Sequence, residues 1–200
     1  MREDAIPVER HPLEPFVPGD ARVLFLGSFP PPRRRWCMPF FYPNYINDHW
    51  RIQGLVFYGD AGYFVDAEHR CFRYEAIVEH CERVGIAYYD TARAVRRMAD
   101  NASDKFLEVV EATDVPALVA HLPHLRAIVT TGEKATETLC ESLQIAAIPK
   151  VGAYVTTPFL SGGDAPVELY RLPSSSRAYP MSLQKKGEAY ATMFRRYGLL

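Results

Sequence analysis

The sequence predicts the α/β fold class, as a three-layer α/β/α sandwich with a central, mainly parallel four-stranded sheet. Four short apolar runs alternate with segments of helical periodicity. Strands separated by helices favour a parallel sheet with helices on both faces. The chain has 200 residues and 48% hydrophobic content, which is enough for one sizeable core, so we expect one domain.

The predicted strands are apolar runs that end at punctuating residues. They cover residues 22–27, 85–90, 125–132 and 167–172. The first run ends at Gly27 and is followed by three prolines, as a buried strand that enters a rigid loop would be. In a parallel sheet the carboxyl ends meet at one edge, so Gly27, Asp90, Gly132 and Leu172 should lie close together.

The predicted helices fill the intervals between these strands. They cover residues 67–84, 113–121, 133 to about 143, and 185–197. Gly85 is suited to end the first helix, and Pro116 is tolerated in the first turn of the second. Residues 33–50 mix arginines, prolines and aromatics without periodicity, which indicates a long loop of the kind that often carries function.

The first 20 residues are polar and contain four prolines, which predicts an extended N-terminal arm ahead of a single domain over residues 21–200. No signal peptide and no apolar run of about 20 residues is present, so we expect a soluble, cytoplasmic protein and a monomer. With a net charge of -1, any nucleic-acid partner has to bind a local basic face.

Cysteine usage and glycine spacing argue against common cofactors. The four cysteines are scattered without a CxxC pair, so we expect free thiols, no metal ion and no iron–sulfur cluster. The segment Gly-Ser-Phe-Pro at residues 27–30 lacks the glycine pattern of a dinucleotide site or a P-loop. No cofactor is predicted.

Four segments fall at the predicted sheet edge: residues 27–30, 88–91, 130–132 and 172–177. Together they carry few acid or base groups but many hydroxyls, aromatics and backbone donors. Residues 27–30, followed by the aromatic segment at 40–52, resemble the first motif and substrate loop of the uracil-DNA glycosylase superfamily. The match is closest to its hypoxanthine-DNA glycosylase and mismatch-specific uracil-DNA glycosylase branches. The matching positions are Gly27, Pro30, Tyr42, Asn47 and Trp50.

Three further segments extend the resemblance in the same order along the chain. Residues 85–90 resemble the second strand of the hypoxanthine branch, and residues 101–104 resemble the loop that follows it. Residues 172–176 resemble the second signature motif, which enters the DNA minor groove. Two positions depart from the most active branches: Phe29 replaces a water-positioning aspartate or asparagine, and Leu172 replaces a histidine or asparagine. Both departures fit the hypoxanthine branch, in which the asparagine matching Asn47 is implicated in catalysis.

The resemblance implies a DNA glycosylase of base excision repair, whose substrate is DNA containing a flipped, deaminated base such as hypoxanthine or uracil. It implies Asn47 as a catalytic residue. Asp90, at the end of the second predicted strand, is the better placed of two nearby carboxylates, with Asp48, to act as a base or to accept a ring N–H. Tyr42 would stack on the base, and the backbone at Gly27, Ser28 and Phe29, together with Thr131, would bind it. The residues that would bind DNA are Pro173, Ser174, Ser175, Ser176 and Arg177.

Each assignment has a structural alternative. Tyr42 would be a core aromatic, Asn47 and Asp90 would cap local segments, and residues 173–177 would form a serine-rich surface turn. The arginines at 33–35 would be a patch that contacts the DNA backbone, or simply a solvated loop. Two rival functions also stay open: a hydrolase of free nucleosides or nucleotides, and a catalytically silent DNA-binding member of the same fold.

Overall fold

The structure is a computed structural model that describes residues 6–99, 104–162 and 165–200. Strands and helices alternate along most of the described chain. The strands are β1 (Val8–Arg10), β2 (Val23–Gly27), β3 (Val65–Asp66), β4 (Cys71–Phe72), β5 (Ile86–Asp90), β6 (Ala92–Arg97), β7 (Leu107–Ala112), β8 (Ala127–Thr131), β9 (Tyr154–Gly162) and β10 (Ala165–Leu172). The α-helices are α1 (His49–Tyr58), α2 (Tyr74–Val84), α3 (Val115–Val119), α4 (Glu133–Ser142) and α5 (Leu183–Arg196).

The central sheet has the strand order β5-β2-β8-β10-β9. The four predicted strands are β2, β5, β8 and β10, and they are parallel to one another. The prediction of four strands is wrong, because β9 adds a fifth strand antiparallel to β10. Its alternating exposure and Pro158 are typical of an edge strand, which lacks the continuous apolar run of a central one.

Helices cover both faces of this sheet. On one face Phe25 of β2 lies 6.0 and 6.1 Å, between ring centroids, from Phe194 and Tyr190 of α5. On the other face the Thr130 hydroxyl of β8 is 2.8 Å from that of Thr136 in α4. Residues 23–26 are fully buried, as expected for a strand covered on both sides.

A second sheet, in the order β1-β6-β7, packs beside the edge of the central sheet at which the parallel strands end. Its first strand belongs to the N-terminal arm and pairs antiparallel with β6. Further along the arm, Phe16 forms a bridge with Tyr88 of β5. The described part of the arm is therefore paired with β6 and β5 as part of the packed structure.

The helices show where periodicity is informative. Helix α2 ends at Gly85, whose φ of 83° favours glycine, as predicted. It begins at Tyr74 instead of residue 67, because β3 and β4 form a small hairpin there. Helix α1 is missing from the prediction, since five of its ten residues are buried, including His49 and Gln53, and no clear amphipathic pattern results.

Candidate active site

A cavity of about 250 Å³ opens at the carboxyl-terminal edge of the central sheet. Strand register places Gly27 beside Asp90, and Thr131 beside Leu172. The four segments therefore converge, as the topology of parallel strands requires.

Eleven of the twelve sequence-predicted site residues line this cavity. They are Gly27, Ser28, Phe29, Tyr42, Asn47, Asp90, Thr131, Ser174, Ser175, Ser176 and Arg177. Pro173 is not among the lining residues. The chain thus brings together positions up to 150 residues apart, while their chemical roles stay predictions.

Tyr42 forms one wall of the cavity. Its hydroxyl is 2.6 Å from Thr131 Oγ1, and its ring stacks on the His49 imidazole at a centroid distance of 3.8 Å. Its φ of 49° lies in the left-handed region, a strained conformation that surrounding contacts must enforce. Burial raises the pKa of the Tyr42 hydroxyl, so the group is neutral at neutral pH. Because His49 covers one ring face, only the opposite face of Tyr42 is left for stacking on a planar ligand.

A chain of buried hydrogen bonds holds His49 beneath Tyr42. His49 Nε2 is 2.9 Å from the Tyr88 hydroxyl, to which the Gln53 amide donates at 3.1 Å. Gln53 Oε1 in turn lies 3.4 Å from His80 Nε2. Burial lowers the pKa of both histidines, that of His80 to about 4. Both rings are therefore neutral at neutral pH, and His49 supports Tyr42 by stacking.

Asn47 closes a local turn and also lines the cavity. Its Oδ1 accepts the backbone N–H of His49 at 2.9 Å, which closes an Asx turn at the start of α1. The residue also lines the cavity. Since Oδ1 is engaged, the amide Nδ2, a donor, is the group left for a ligand.

Asp90 ends β5 with its carboxylate in the cavity wall. Its Oδ2 is 2.9 Å from His11 Nε2, a partner from the N-terminal arm. Gly27 leaves room for the other oxygen, because a Cβ at residue 27 would lie 2.4 Å from Asp90 Oδ1. A glycine at position 27 is therefore needed for the carboxylate to occupy this place.

Two charged cavity residues, Asp104 and Arg97, are missing from the sequence prediction. Burial raises the pKa of the Asp104 carboxyl, the Ser28 hydroxyl lowers it by hydrogen bonding, and the charge of Asp90 raises it further. Arg97 ends β6 and is bound by Glu9 of the arm, with two contacts of 3.1 Å. The only sequence signal for Asp104 was the motif at residues 101–104, whose first three residues lie outside the described part of the chain.

The turn after β10 is fixed against α1 and α5. The Ser175 carbonyl accepts the Asp48 backbone N–H at 3.0 Å, and the Ser176 carbonyl accepts the Lys186 ammonium at 2.8 Å. The Asp48 carboxylate accepts Arg177 Nε at 2.9 Å and Lys186 Nζ at 3.4 Å. Lys186 is 1% exposed, whereas the Arg177 side chain is half-exposed. The turn is therefore an ordered part of the cavity wall.

Two other predicted features lie near the cavity. The Phe29 side chain packs in a small cluster with Ala92, Val95 and Leu107, so its contribution to a ligand falls to the backbone. The arginines at 33–35 form a single 3-10 turn, and Arg35 lines the cavity.

The described residues hold no group of three or more His, Cys, Asp or Glu side chains arranged to bind a metal ion. Within the same residues, no helix has the length and apolar character needed to cross a membrane. All four cysteines are free, and Cys81 and Cys140 are buried, as predicted.

Comparison with solved structures finds chains of similar fold. The solution NMR structure of a "putative Uracil DNA glycosylase" from Methanosarcina acetivorans superimposes with a TM-score of 0.63. The match covers 96% of this chain and 99% of the other, at 22% sequence identity. The two chains share a fold. No protein-family model matches the chain, and no curated protein matches it in sequence.

Proposed function

We propose that the protein is a DNA glycosylase that hydrolyses the N-glycosidic bond of a deaminated base, hypoxanthine or uracil, in base excision repair. The observation that carries this proposal is the meeting of Tyr42, Asn47, Asp90 and residues 174–177 in one cavity. The fold shared with the Methanosarcina protein, and that protein's printed name, agree with it.

The size of the cavity suits one base. Sites for whole small molecules typically measure roughly 300–1,000 Å³, and this one measures about 250 Å³. A base flipped out of DNA would enter with its ring against the free face of Tyr42, and stacking of this kind contributes about 1–3 kcal/mol per base.

The chemistry divides between an acceptor and a donor. As the C1′–N bond breaks, its electron pair goes to the base and positive charge builds on the sugar, and a water oxygen forms the new bond to C1′. Asp90 Oδ1 accepts a proton from that water and stabilises the sugar cation. Asn47 Nδ2 donates a hydrogen bond to the departing base, which takes up a proton after release.

The turn at 173–177 would hold the DNA. Its serine hydroxyls and backbone N–H groups are suited to phosphate oxygens, and the half-exposed Arg177 is suited to a phosphate or to the minor groove. The contacts of this turn with Asp48 and Lys186 fix its position relative to the base site.

Excision from oligonucleotides tests the proposal. Labelled duplex and single-stranded oligonucleotides with one uracil, one hypoxanthine or no lesion are incubated with excess protein, then treated with alkali to cleave abasic sites. We expect strand cleavage at a lesion, at a rate that Asp90→Asn lowers on the order of 100-fold. The variant excludes a contaminating glycosylase as the source of activity.

Free deoxyinosine and deoxyuridine are assayed in parallel for release of the base. Hydrolysis of these nucleosides without excision from DNA would favour the nucleoside hydrolase. Tight DNA binding without any excision would favour the catalytically silent DNA-binding protein.

A further inference from the structure

The N-terminal arm packs against the wall of the candidate active site. Strand β1 pairs with β6, and the His11 backbone N–H donates to the Arg93 carbonyl at 2.8 Å. Two arm side chains then contact cavity residues: Glu9 binds Arg97, and His11 binds Asp90. Leu13 lines the cavity directly.

The contact between His11 and Asp90 is buried. The two side chains are 2% and 10% exposed, and His11 Nε2 lies 2.9 Å from Asp90 Oδ2. The imidazole lies 4.6 Å from the ring of Tyr89 and 5.4 Å from that of Phe29, measured between centroids. Because a carboxylate only accepts hydrogen bonds, Nε2 carries the hydrogen that joins the two groups.

This hydrogen bond determines which oxygen of Asp90 serves the cavity. Oδ2 is taken by His11, and Oδ1 occupies the space that the missing side chain of Gly27 leaves. Rotation of the carboxylate would break the buried bond to His11. The arm and the glycine therefore fix Oδ1 from two sides.

We infer that His11 is a positioning residue that holds Asp90 for catalysis, so that the N-terminal arm completes the active site. The inference rests on the proposed glycosylase function, in which Asp90 Oδ1 receives a proton from the attacking water. A base that is misplaced by about 1 Å loses on the order of 100-fold in rate. The bidentate contact of Glu9 with Arg97 anchors the same arm to a second cavity residue.

Two variants of His11 separate the hydrogen bond from packing. His11→Phe keeps an aromatic ring among Phe29 and Tyr89 but removes the donor, whereas His11→Gln keeps an N–H that reaches the carboxylate. Arg10→Ala is the matched control in the same arm, because Arg10 is exposed and pairs with the exposed Glu111. Melting temperature, lesion-DNA affinity and maximal single-turnover excision rate are measured for each.

We expect His11→Phe to lower the maximal excision rate on the order of 100-fold, with little change in DNA affinity. His11→Gln should recover at least about 10-fold of that loss, and Arg10→Ala should match the wild type. If His11→Phe excises at the wild-type rate, or if both His11 variants lose the same activity, the positioning role is overturned and the glycosylase proposal stands. A wild-type protein that excises no lesion overturns the glycosylase proposal and the inference together.

Discussion

At the residue scale, the proposed function gives the two polar atoms of Asn47 different tasks. Oδ1 closes the turn that starts α1, and Nδ2 would donate to the base. Alanine removes both atoms' functions, whereas aspartate keeps an acceptor at the Oδ1 position and replaces the donor with a charged acceptor oxygen. The pair Asn47→Asp and Asn47→Ala therefore separates the two roles.

We expect Asn47→Asp to keep the wild-type free energy of unfolding and to lose on the order of 100-fold in single-turnover excision, because the donor to the leaving base is gone. Asn47→Ala should show a similar loss and, in addition, about 1 kcal/mol of destabilisation in urea denaturation. If Asn47→Asp excises at the wild-type rate, Asn47 acts only through the turn.

Sequence motifs located residues at a strand end and in the loop that follows it, but not the side chains that contact site residues from distant parts of the chain. Gly27, Tyr42 and Asn47 stand close together in the chain, so a short pattern could identify them. His11 contacts Asp90 across 79 positions, and nothing in its proline-rich surroundings marks it as part of a site. Such a contact depends on tertiary packing of the arm, which periodicity does not report.

At the element scale, Lys186 joins α5 to the turn that follows β10. It is 1% exposed and donates to the Ser176 carbonyl and to Asp48. A buried ammonium group with these partners fixes the turn, and its removal leaves a buried carboxylate and a carbonyl without that donor. The adjacent Lys185 is exposed and provides a matched position on the same helix.

We expect Lys186→Met to lower the free energy of unfolding by about 3 kcal/mol and to weaken lesion-DNA binding, because the turn at 173–177 loses its anchor. Lys185→Met should change neither quantity measurably. Urea denaturation and fluorescence anisotropy with a lesion duplex make the two measurements. Unchanged DNA affinity in a folded Lys186→Met protein would contradict the role of the turn.

The parallel strands of the central sheet were predictable and the peripheral elements were not, for a physical reason. A strand covered on both faces needs a continuous apolar run, as in residues 23–26, and such a run is visible in any sequence. The half-exposed β6 and β7 mix arginine, glutamate and valine, so their sequences lack a strand pattern. They form strands because they pair with neighbouring strands.

At the scale of the whole molecule, the buried histidines link stability to pH. Burial, together with the nearby charge of Arg83, lowers the pKa of His80 from 6.5 to about 4. The Tyr58 hydroxyl is 3.0 Å from His80 Nδ1, an arrangement that suits the neutral ring. Between these two pH values the unfolded chain binds a proton that the folded chain does not, so stability rises with pH there and falls on acidification.

We expect the free energy of unfolding to fall as the pH is lowered from about 6.5 towards 4, with His80 contributing about 3 kcal/mol of that fall. In His80→Gln the stability at neutral pH and its dependence on pH should both be smaller. His124→Gln, at an exposed position, should follow the wild-type curve. Equal pH slopes for the wild type and His80→Gln would contradict this account.

The proposed binding of DNA must also be explained by the molecule as a whole, because a net charge of -1 supplies no general attraction. Arg35, Arg97 and Arg177 line the cavity together with the acidic Asp90 and Asp104. Arg97 is 7% exposed and held by Glu9, whereas the Arg177 side chain is 50% exposed. Of these two, Arg177 is therefore the arginine better suited to reach a phosphate.

The dependence of lesion-duplex affinity on salt measures this contact. Each phosphate contact adds about 0.9 to the slope of log affinity against log salt concentration, because it releases condensed counterions. We expect Arg177→Ala to weaken binding and to reduce the slope by about 1. Arg195→Ala is the control, because Arg195 is exposed and lies at the far end of α5. That end is near Gly198, whose carbonyl accepts a hydrogen bond from Arg22 at the opposite edge of the sheet. This variant should leave the slope unchanged. A slope that falls in Arg195→Ala but not in Arg177→Ala would place the DNA away from the cavity, and base flipping into it would then have no physical basis.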